Sequence, residues 1–340
     1  MTRACILGCA GTNLTSDERV LFERAQPFGF ILFARNVERP EQVRALVGEM
    51  RALVGRDDAP VLIDQEGGRV QRLRPPHWPD FPPAARFGEI HARDAARGLE
   101  AVRLGARLIA QELSTLGINV DCLPVADLLF AEGHGIIGDR AYGGDPVTVA
   151  KLARAAAEGL IEGGVLPVVK HIPGHGRARS DSHEELPVVE TPLDELDRTD
   201  FESFRRLKDI PIGMTAHVVY TAIDPERAAT VSPIAIEEVI RGRIGFDGLL
   251  LSDDLSMKAL KGSLGSRTEA ALAAGCDVAL HCNGRLAEMQ EVVAASRSLD
   301  GEAARRAGAA LGRQGTPGGT PGKALNVAEA RARFSAMMTA

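Results

Sequence analysis

The run Val165-Leu166-Pro167-Val168-Val169, continuing into Lys170-His171-Ile172-Pro173-Gly174-His175-Gly176, decides how the fold is read. An apolar segment rich in valine ends abruptly in a lysine and a histidine. Pro173 removes a backbone donor, while Gly174 and Gly176 admit backbone angles closed to other residues, so an irregular loop should follow the strand. That loop runs through Arg177-Ala178-Arg179-Ser180 to Asp181-Ser182-His183, gathering three of the eight histidines between positions 170 and 183. Polar side chains crowded at a strand's carboxyl end are how α/β enzymes build sites. Two plainer readings stand beside this one: the Lys-His pair as the solvated start of a loop, and Asp181-Ser182-His183 as a helix N-cap with an incidental histidine.

Outward from this strand, seven further apolar, β-leaning runs complete a set of eight: 4–9, 29–34, 60–64, 118–124, 166–171, 210–216, 248–252 and 277–281. Between and after them lie candidate helices near 17–25, 41–54, 94–116, 146–163, 193–207, 233–242, 267–274 and 285–297. Strand then helix, eight times over, predicts a single-domain (β/α)8 barrel of the TIM type. Val61-Leu62-Ile63 and Leu249-Leu250-Leu251 are continuously apolar, as parallel strands covered on both faces must be. A doubly wound open sheet would give the same periodicity, so periodicity alone leaves both open. Ser16-Asp17-Glu18, Thr191-Pro192 and Ser232-Pro233 read as helix starts, and Gly55 and Gly117 as C-terminal caps. The barrel is expected over 1–311, a Gly/Pro-rich linker over 312–326, and a loosely docked helical tail over 327–340.

Composition narrows the partners. The 340 residues are 45% hydrophobic and 25% charged, enough for a sizeable core, and the formal net charge of -6 supplies no basic stripe for nucleic acid. Five cysteines, at 5, 9, 122, 276 and 282, are odd in number and scattered through apolar runs, which fits buried thiols in a reducing compartment. The first residues lack a secretory apolar core, and no stretch reaches the ~20 apolar residues of a membrane helix. A soluble, cytoplasmic protein with no membrane partner is expected.

In a (β/α)8 barrel the site lies at the carboxyl ends of the strands, so the polar groups there are the candidates. They are Asp64-Gln65-Glu66-Gly67-Gly68-Arg69-Val70-Gln71-Arg72 after strand three, and Asp127 and Gly138-Asp139-Arg140 after strand four. Lys170 and His171 end strand five, His217 follows strand six, Ser252-Asp253-Asp254 end strand seven, and His281 ends strand eight. The pair Asp253-Asp254 suits a metal site, a nucleophile with a neighbour, or a cap. Successive strand residues face opposite sides, so one of the two should face in. His171 and His175 have i,i+4 spacing, but Pro173-Gly174 denies them the helix that would make them a chelate. No phosphate-binding GxxxxGK[ST] occurs.

Together Asp64-Gln65-Glu66-Gly67-Gly68-Arg69-Val70, Gly138-Asp139-Arg140, Lys170 to Gly176 with Asp181-Ser182-His183, and Ser252-Asp253-Asp254-Leu255-Ser256-Met257 resemble bacterial β-N-acetylglucosaminidases of glycoside hydrolase family 3, in matching order over roughly residues 4–297. The resemblance implies a retaining exo-enzyme of peptidoglycan recycling that removes N-acetylglucosamine from 1,6-anhydro-N-acetylmuramic acid or its peptides. It implies Asp253 as nucleophile, and His183 as acid/base held by Asp181 on a mobile loop. It further implies Asp64, Arg72, Arg140, Lys170 and His171 as binders of the sugar's hydroxyls and acetamido group. The chemistry so implied, proton transfer and covalent catalysis, needs no metal or other cofactor, with a metal site built from dispersed histidines as the alternative, and the state expected is a monomer acting on a small saccharide or muropeptide. Ala141-Tyr142 departs from the Ser-Phe expected after Asp139-Arg140.

The chemistry is consistent with this. Retention needs a nucleophile and a group that first donates and then removes a proton. A histidine with a reference pKa near ~6.5, oriented by a nearby aspartate, can be that group. Three alternatives remain: a substrate-assisted hexosaminidase with Asp253 polarising the acetamido group, a glycoside phosphorylase, and a non-catalytic sugar-binding barrel.

Overall fold

The computed structural model describes residues 1–180, 182, 185–314 and 325–339. Eight parallel strands close into a barrel. In chain order they are Arg3–Leu7, Pro27–Leu32, Val61–Ile63, Val120–Asp121, Leu166–Ile172, Ile212–Thr215, Leu249–Asp254 and Val278–His281. The first pairs with the eighth, with Leu7 opposite His281, and closure removes the edges an open sheet would leave. The (β/α)8 reading therefore holds against the doubly wound one. The fourth strand is shorter than its apolar run because Pro124 interrupts it. Pairing nevertheless continues beyond it, with Val168 N–H donating to Leu123 O at 2.9 Å and Lys170 N–H to Pro124 O at 3.1 Å.

Alternation along the strands separates two cores. Leu62, Val168, Leu249, Leu251 and Leu280 fill the barrel interior, whereas Ile63, Val169, Leu250 and Ala279 face the helices. Counting on by two along the same strands carries the inward face to Asp64, Lys170 and Asp253. The barrel's own register thus delivers these three side chains to its upper mouth. Ala307 and Ala310 of the helix Gly301–Leu311 belong to the interior cluster and cover the barrel's other end.

The helices follow the expected order, with four differences. The first, Ser16–Ala25, is capped by Thr15 rather than Ser16: Thr15 Oγ1 accepts from Glu18 N–H at 3.2 Å, and the Glu18 carboxylate accepts from Thr15 N–H at 2.7 Å. An additional helix, Ala84–Arg93, precedes Ala95–Thr115, with Asp94 breaking between them and capping the second. The segment 193–207 splits at Thr199 into Leu193–Arg198 and Asp200–Arg205, and Ala235–Arg243 winds as a π-helix. No helix among the described residues is long and apolar enough to cross a membrane.

The tail is more firmly seated than expected. Helix Val327–Thr339 lies against Ala95–Thr115, with Ala330 buried and Phe334 set between Phe81 and Phe87. Residues 315–324 of the expected linker, and Ala340, lie outside the described residues.

Candidate active site

A cavity of about 250 Å³ opens at the carboxyl end of the strands. Ile31, Met214 and Leu280, the uppermost apolar residues of the barrel interior, form its apolar floor, and Asp64, Arg72, Arg140, Lys170, His171 and Asp253 contribute polar wall. Every sequence-predicted site residue that is described lies here. Asp181 and His183 lie outside the described residues.

One side of the cavity is a chain of paired charges. Lys170 Nζ, at the end of strand five, donates to Asp64 Oδ1 at 2.8 Å and stands 2.7 Å from Glu66 Oε1. Arg72 donates to the other Asp64 oxygen at 2.8 Å, and Arg140 grips Glu66 with two bonds of 2.8 Å each. Burial works to raise the Asp64 and Glu66 carboxyls, but Lys170 and Arg72 around the first, and Arg140 and Lys170 around the second, hold both below the usual carboxylate range. Burial in turn pulls Lys170 and Arg140 down, and their carboxylate partners more than reverse it, so both stay cationic. The Arg72 guanidinium also lies 5.0 Å from the Phe33 ring centroid.

Beneath this chain, Asp121 is fully buried. Its Oδ1 accepts from Gln65 N–H at 3.0 Å, its Oδ2 has no partner, and burial pushes its carboxyl up to about 8. It is therefore neutral at pH 7 and adds no charge next to Asp64. Its neighbour Asp127, equally buried, behaves oppositely. It accepts from His171 Nδ1 at 2.7 Å and from His175 N–H at 2.6 Å, and against the burial the two histidines hold it below the usual range. This bond fixes the proton on His171 Nδ1 and leaves Nε2 for other partners. His175 packs edge-on to His171 at 5.6 Å, with Nε2 3.1 Å from Ser182 Oγ; burial first, then His171, lowers it to about 4, so its ring is neutral. The Lys170–His171 and Ile172–Pro173 peptide bonds are cis.

The other side of the cavity belongs to Asp253. Its Oδ1 accepts from Asp254 N–H at 2.8 Å, and its own N–H lies 3.3 Å from Thr215 Oγ1. Burial pushes its carboxyl up, but His217, His171 and the Asp254 N–H together hold it below the usual range, so it is an anion at pH 7. His217 is itself lowered, mainly by burial, and is held at both nitrogens, by Thr230 Oγ1 at 2.7 Å and Asp254 O at 3.0 Å. Asp254 is committed elsewhere: it accepts from Ser256 N–H at 3.0 Å, Ser256 Oγ at 2.6 Å and Cys282 N–H at 3.1 Å. Of the two neighbouring acids, the second shapes the turn and the first carries a carboxylate to which, among the described residues, no cationic side chain is bonded.

Glu66, Asp127 and His175 contribute to this arrangement; Glu66 and Asp127 stood among the strand-end candidates and His175 was weighed as a metal ligand, but none of the three was assigned a role. Asp127 did leave a signal, since a carboxylate inside Pro124-Val125-Ala126-Asp127-Leu128-Leu129 must find a buried donor. Among the described residues, no three of His, Cys, Asp and Glu are grouped as a metal ion would require.

Comparison with known proteins agrees with the geometry. The chain matches the glycosyl hydrolase family 3 N-terminal domain over residues 7–309. It is 40% identical over 284 residues to a beta-hexosaminidase of Nitrosomonas eutropha, covering 82% of this chain and 80% of that protein. It is 39% identical over 289 residues to a beta-hexosaminidase of Pseudomonas aeruginosa, covering 84% of each. The structure superposes on NagZ from Neisseria gonorrhoeae, solved in complex with N-trifluoroacetyl-D-glucosamine, with a TM-score of 0.88 and 31% identity, covering 99% of this chain and 98% of that one. A family 3 β-N-acetylglucosaminidase from Paenibacillus sp. str. FPU-7 gives 0.84 and 30%, with this chain spanning 98% of its own length and 66% of the other's. With a barrel, a carboxylate-and-cation site at its mouth and relatives of this likeness, the chain belongs to glycosyl hydrolase family 3, as a glycoside hydrolase of the β-N-acetylhexosaminidase type.

Proposed function

We propose that this enzyme is a retaining exo-β-N-acetylglucosaminidase, acting as a cytoplasmic monomer on peptidoglycan fragments in which N-acetylglucosamine is joined to 1,6-anhydro-N-acetylmuramic acid, with or without its peptide. Asp253 attacks the anomeric carbon as the glycosidic bond breaks, and His183, oriented by Asp181, gives its proton to the departing oxygen. His183 then takes a proton from water, which attacks the same carbon and frees Asp253. Two inversions give net retention. The observation that carries this reading is Asp253: half-buried, ionised, set at the inward end of strand seven, and, among the described residues, with its carboxylate bonded only to a backbone N–H. A salt-bridged carboxylate, such as Asp64, would be a poor nucleophile.

Asp64, Arg72, Arg140, Lys170 and His171 bind the sugar's hydroxyls and acetamido group. The cavity, at about 250 Å³, falls below the ~300–1,000 Å³ of sites for drug-sized ligands and suits one terminal sugar, hence exo action. The test is to trap the enzyme with a fluorinated N-acetylglucosaminide that slows the second step, then map the adduct by mass spectrometry. A glycosyl group on Asp253 supports the reading; an oxazoline product with no adduct would replace it with the substrate-assisted route. A glycosyl phosphate formed only when phosphate is supplied would make the enzyme a phosphorylase. Release of N-acetylglucosamine from an anhydro-muropeptide checks the substrate.

A further inference from the structure

We propose that Phe334, near the end of the chain, is a positioning residue for the sugar-binding wall, acting through Phe81 and Phe87 on the hairpin that presents Glu66. The proposal rests on the reading that the Asp64–Arg140 side of the cavity binds sugar. Phe334 sits with its ring centroid 6.2 Å from those of both Phe81 and Phe87. Its place over helix Ala95–Thr115 exists because residue 105 is glycine: a Cβ there would stand 2.9 Å from Phe334 Cε2. The ring therefore fills a notch that the helix leaves open for it.

Phe81 leads from this notch to the site. Its carbonyl accepts from Gly68 N–H at 2.7 Å, and its N–H donates to Gln71 Oε1 at 3.0 Å, so one residue clamps both arms of the hairpin made by Gln65–Gly67 and Val70–Gln71. The clamp is close, since Gly67 has φ 96° and a Cβ on it would lie 2.4 Å from Pro82 O. Glu66, Phe81, Phe87 and Tyr142 line one small void of about 20 Å³. On its far side Glu66 holds Arg140 and Lys170 against the cavity. Phe87 reaches the same place by another path, because the next residue, Gly88, lies directly against the backbone of Tyr142, two residues beyond Arg140. Both arginine-bearing and carboxylate-bearing segments thus lean on aromatic rings that lean on Phe334.

The helix that carries Phe334 is held by reversible contacts. Arg97 donates to Met337 O at 2.6 Å and Ala336 O at 2.9 Å, and Arg331 and Arg333 pair with Glu112 and Glu100. Removing the ring leaves Phe81 and Phe87 with a gap on the side away from the sugar, into which they can relax, taking the hairpin and Glu66 with them. The effect should fall on binding, because Asp253 lies on the opposite side of the cavity and, among the described residues, is bonded to Thr215 and Asp254 rather than to this layer.

The test uses the full-length chain with Phe334→Ala, Phe334→Leu and Arg97→Gln, measuring the Kd of N-acetylglucosamine by calorimetry alongside KM and kcat for an aryl N-acetylglucosaminide and the melting temperature. Phe334→Ala should raise Kd and KM together by roughly fivefold or more while kcat changes by less than about twofold. Phe334→Leu should recover most of the affinity, and Arg97→Gln should lie between. If Kd stays at the wild-type value in Phe334→Ala while the melting temperature falls, the helix only adds stability and the proposal is overturned. Should Phe334→Ala fail to fold, an unchanged Kd in Arg97→Gln overturns it instead. Wild-type protein that does not bind N-acetylglucosamine at all would sink the sugar-binding reading itself, a result distinct from variants that bind as well as wild type.

Discussion

Lys170→Met tests the charge chain that lines the proposed sugar-binding side of the cavity. The substitution keeps the length and apolar stem of the side chain and removes one cation shared by two carboxylates, 2.8 Å from Asp64 and 2.7 Å from Glu66. The side chains of Lys170 and Glu66 are 3% and 4% exposed and that of Asp64 is 14%, so water cannot take the lysine's place without rearrangement. Each carboxylate keeps one partner, Arg72 or Arg140, and loses the other. Removing one member of a buried ion pair costs about 3–5 kcal/mol. For 340 residues at ~2.1 cal/mol/K each, the unfolding entropy is about 0.7 kcal/mol/K, which makes the expected fall in melting temperature about 4–7 °C.

The sign of the pH dependence follows from the same contacts. Asp64 and Glu66 have folded pKa values below their ordinary 3.8 and 4.5, so they contribute stability above those values and lose it as pH falls through the folded ones. Lys170 is raised above 10.5, so its contribution is complete below that pH and is lost as pH climbs through the folded value. The gap between wild type and variant should therefore be full from about pH 5 to pH 10 and close on the acid side as the two carboxylates take up protons. Calorimetric scans at pH 3 and pH 7 measure it. A gap under about 1 °C at pH 7, or one equally large at both pH values, would refute the reasoning, because the lysine would then contribute no more than an exposed surface cation does.

Asp253→Asn should lower kcat by at least about a thousandfold with the melting temperature nearly unchanged, since an amide neither attacks nor leaves; a loss under tenfold would remove Asp253 from the nucleophile role. Because Asp253 is held below 3.8, the acid limb it imposes on kcat/KM should lie below that value, and His217→Gln, by removing a group that lowers it, should move the limb to higher pH; an unmoved limb in the pH-rate profile would show that His217 does not tune it. Exhaustive dialysis against a chelator should leave turnover unchanged, and loss restored by zinc would reassign His171, His175 and His217 to a metal.

The barrel was legible because its strands are buried on both faces, which turns each into a short apolar run bounded by polar residues. The helix Ala84–Arg93 was not, because only Ala84, Phe87 and Ile90 of it are buried and it follows the proline-rich segment 75–83, which reads as loop. The break at Thr199 was also hidden. It serves a contact 22 residues away in sequence, where Arg177 donates to Thr199 Oγ1 at 3.1 Å and to the buried Asp200 at 2.7 Å. In the site, Asp64, Lys170 and Asp253 were legible as the inward-facing ends of strands. Glu66 and Asp127 were listed at the strand ends but given no role, since their partners, Arg140 and His171, come from a different strand or its loop. The Asp181–His183 pair lies outside the described residues, so its reading rests on the resemblance in sequence and on the experiments named above.

The two sides of the cavity use charge in opposite ways. On the side proposed to hold the sugar's hydroxyls and acetamido group, the described cations of the wall are already paired: Lys170 and Arg72 with Asp64, Arg140 with Glu66. Such a wall offers fixed donors and acceptors in place before the substrate arrives, with little net charge to desolvate. On the proposed catalytic side, the groups that hold Asp253 ionised are the imidazoles of His217 and His171 and a backbone N–H, which stabilise an anion without binding it as tightly as an arginine would. A carboxylate in that setting stays ionised at neutral pH yet keeps an oxygen free to form a bond. Asp64 and Asp253 are chemically the same residue at equivalent inward positions of two strands. Cations bonded to the first and, among the described residues, none bonded to the second are what support the proposed roles of binder and nucleophile. Moving that boundary by Asp64→Asn should weaken sugar binding and loosen Lys170 without supplying a second attacking group, so residual turnover in Asp253→Asn should not fall further in kcat when Asp64→Asn is added. A double variant whose kcat drops by another large factor would show that Asp64 takes part in the reaction itself, and the division of labour drawn from the charges would be wrong.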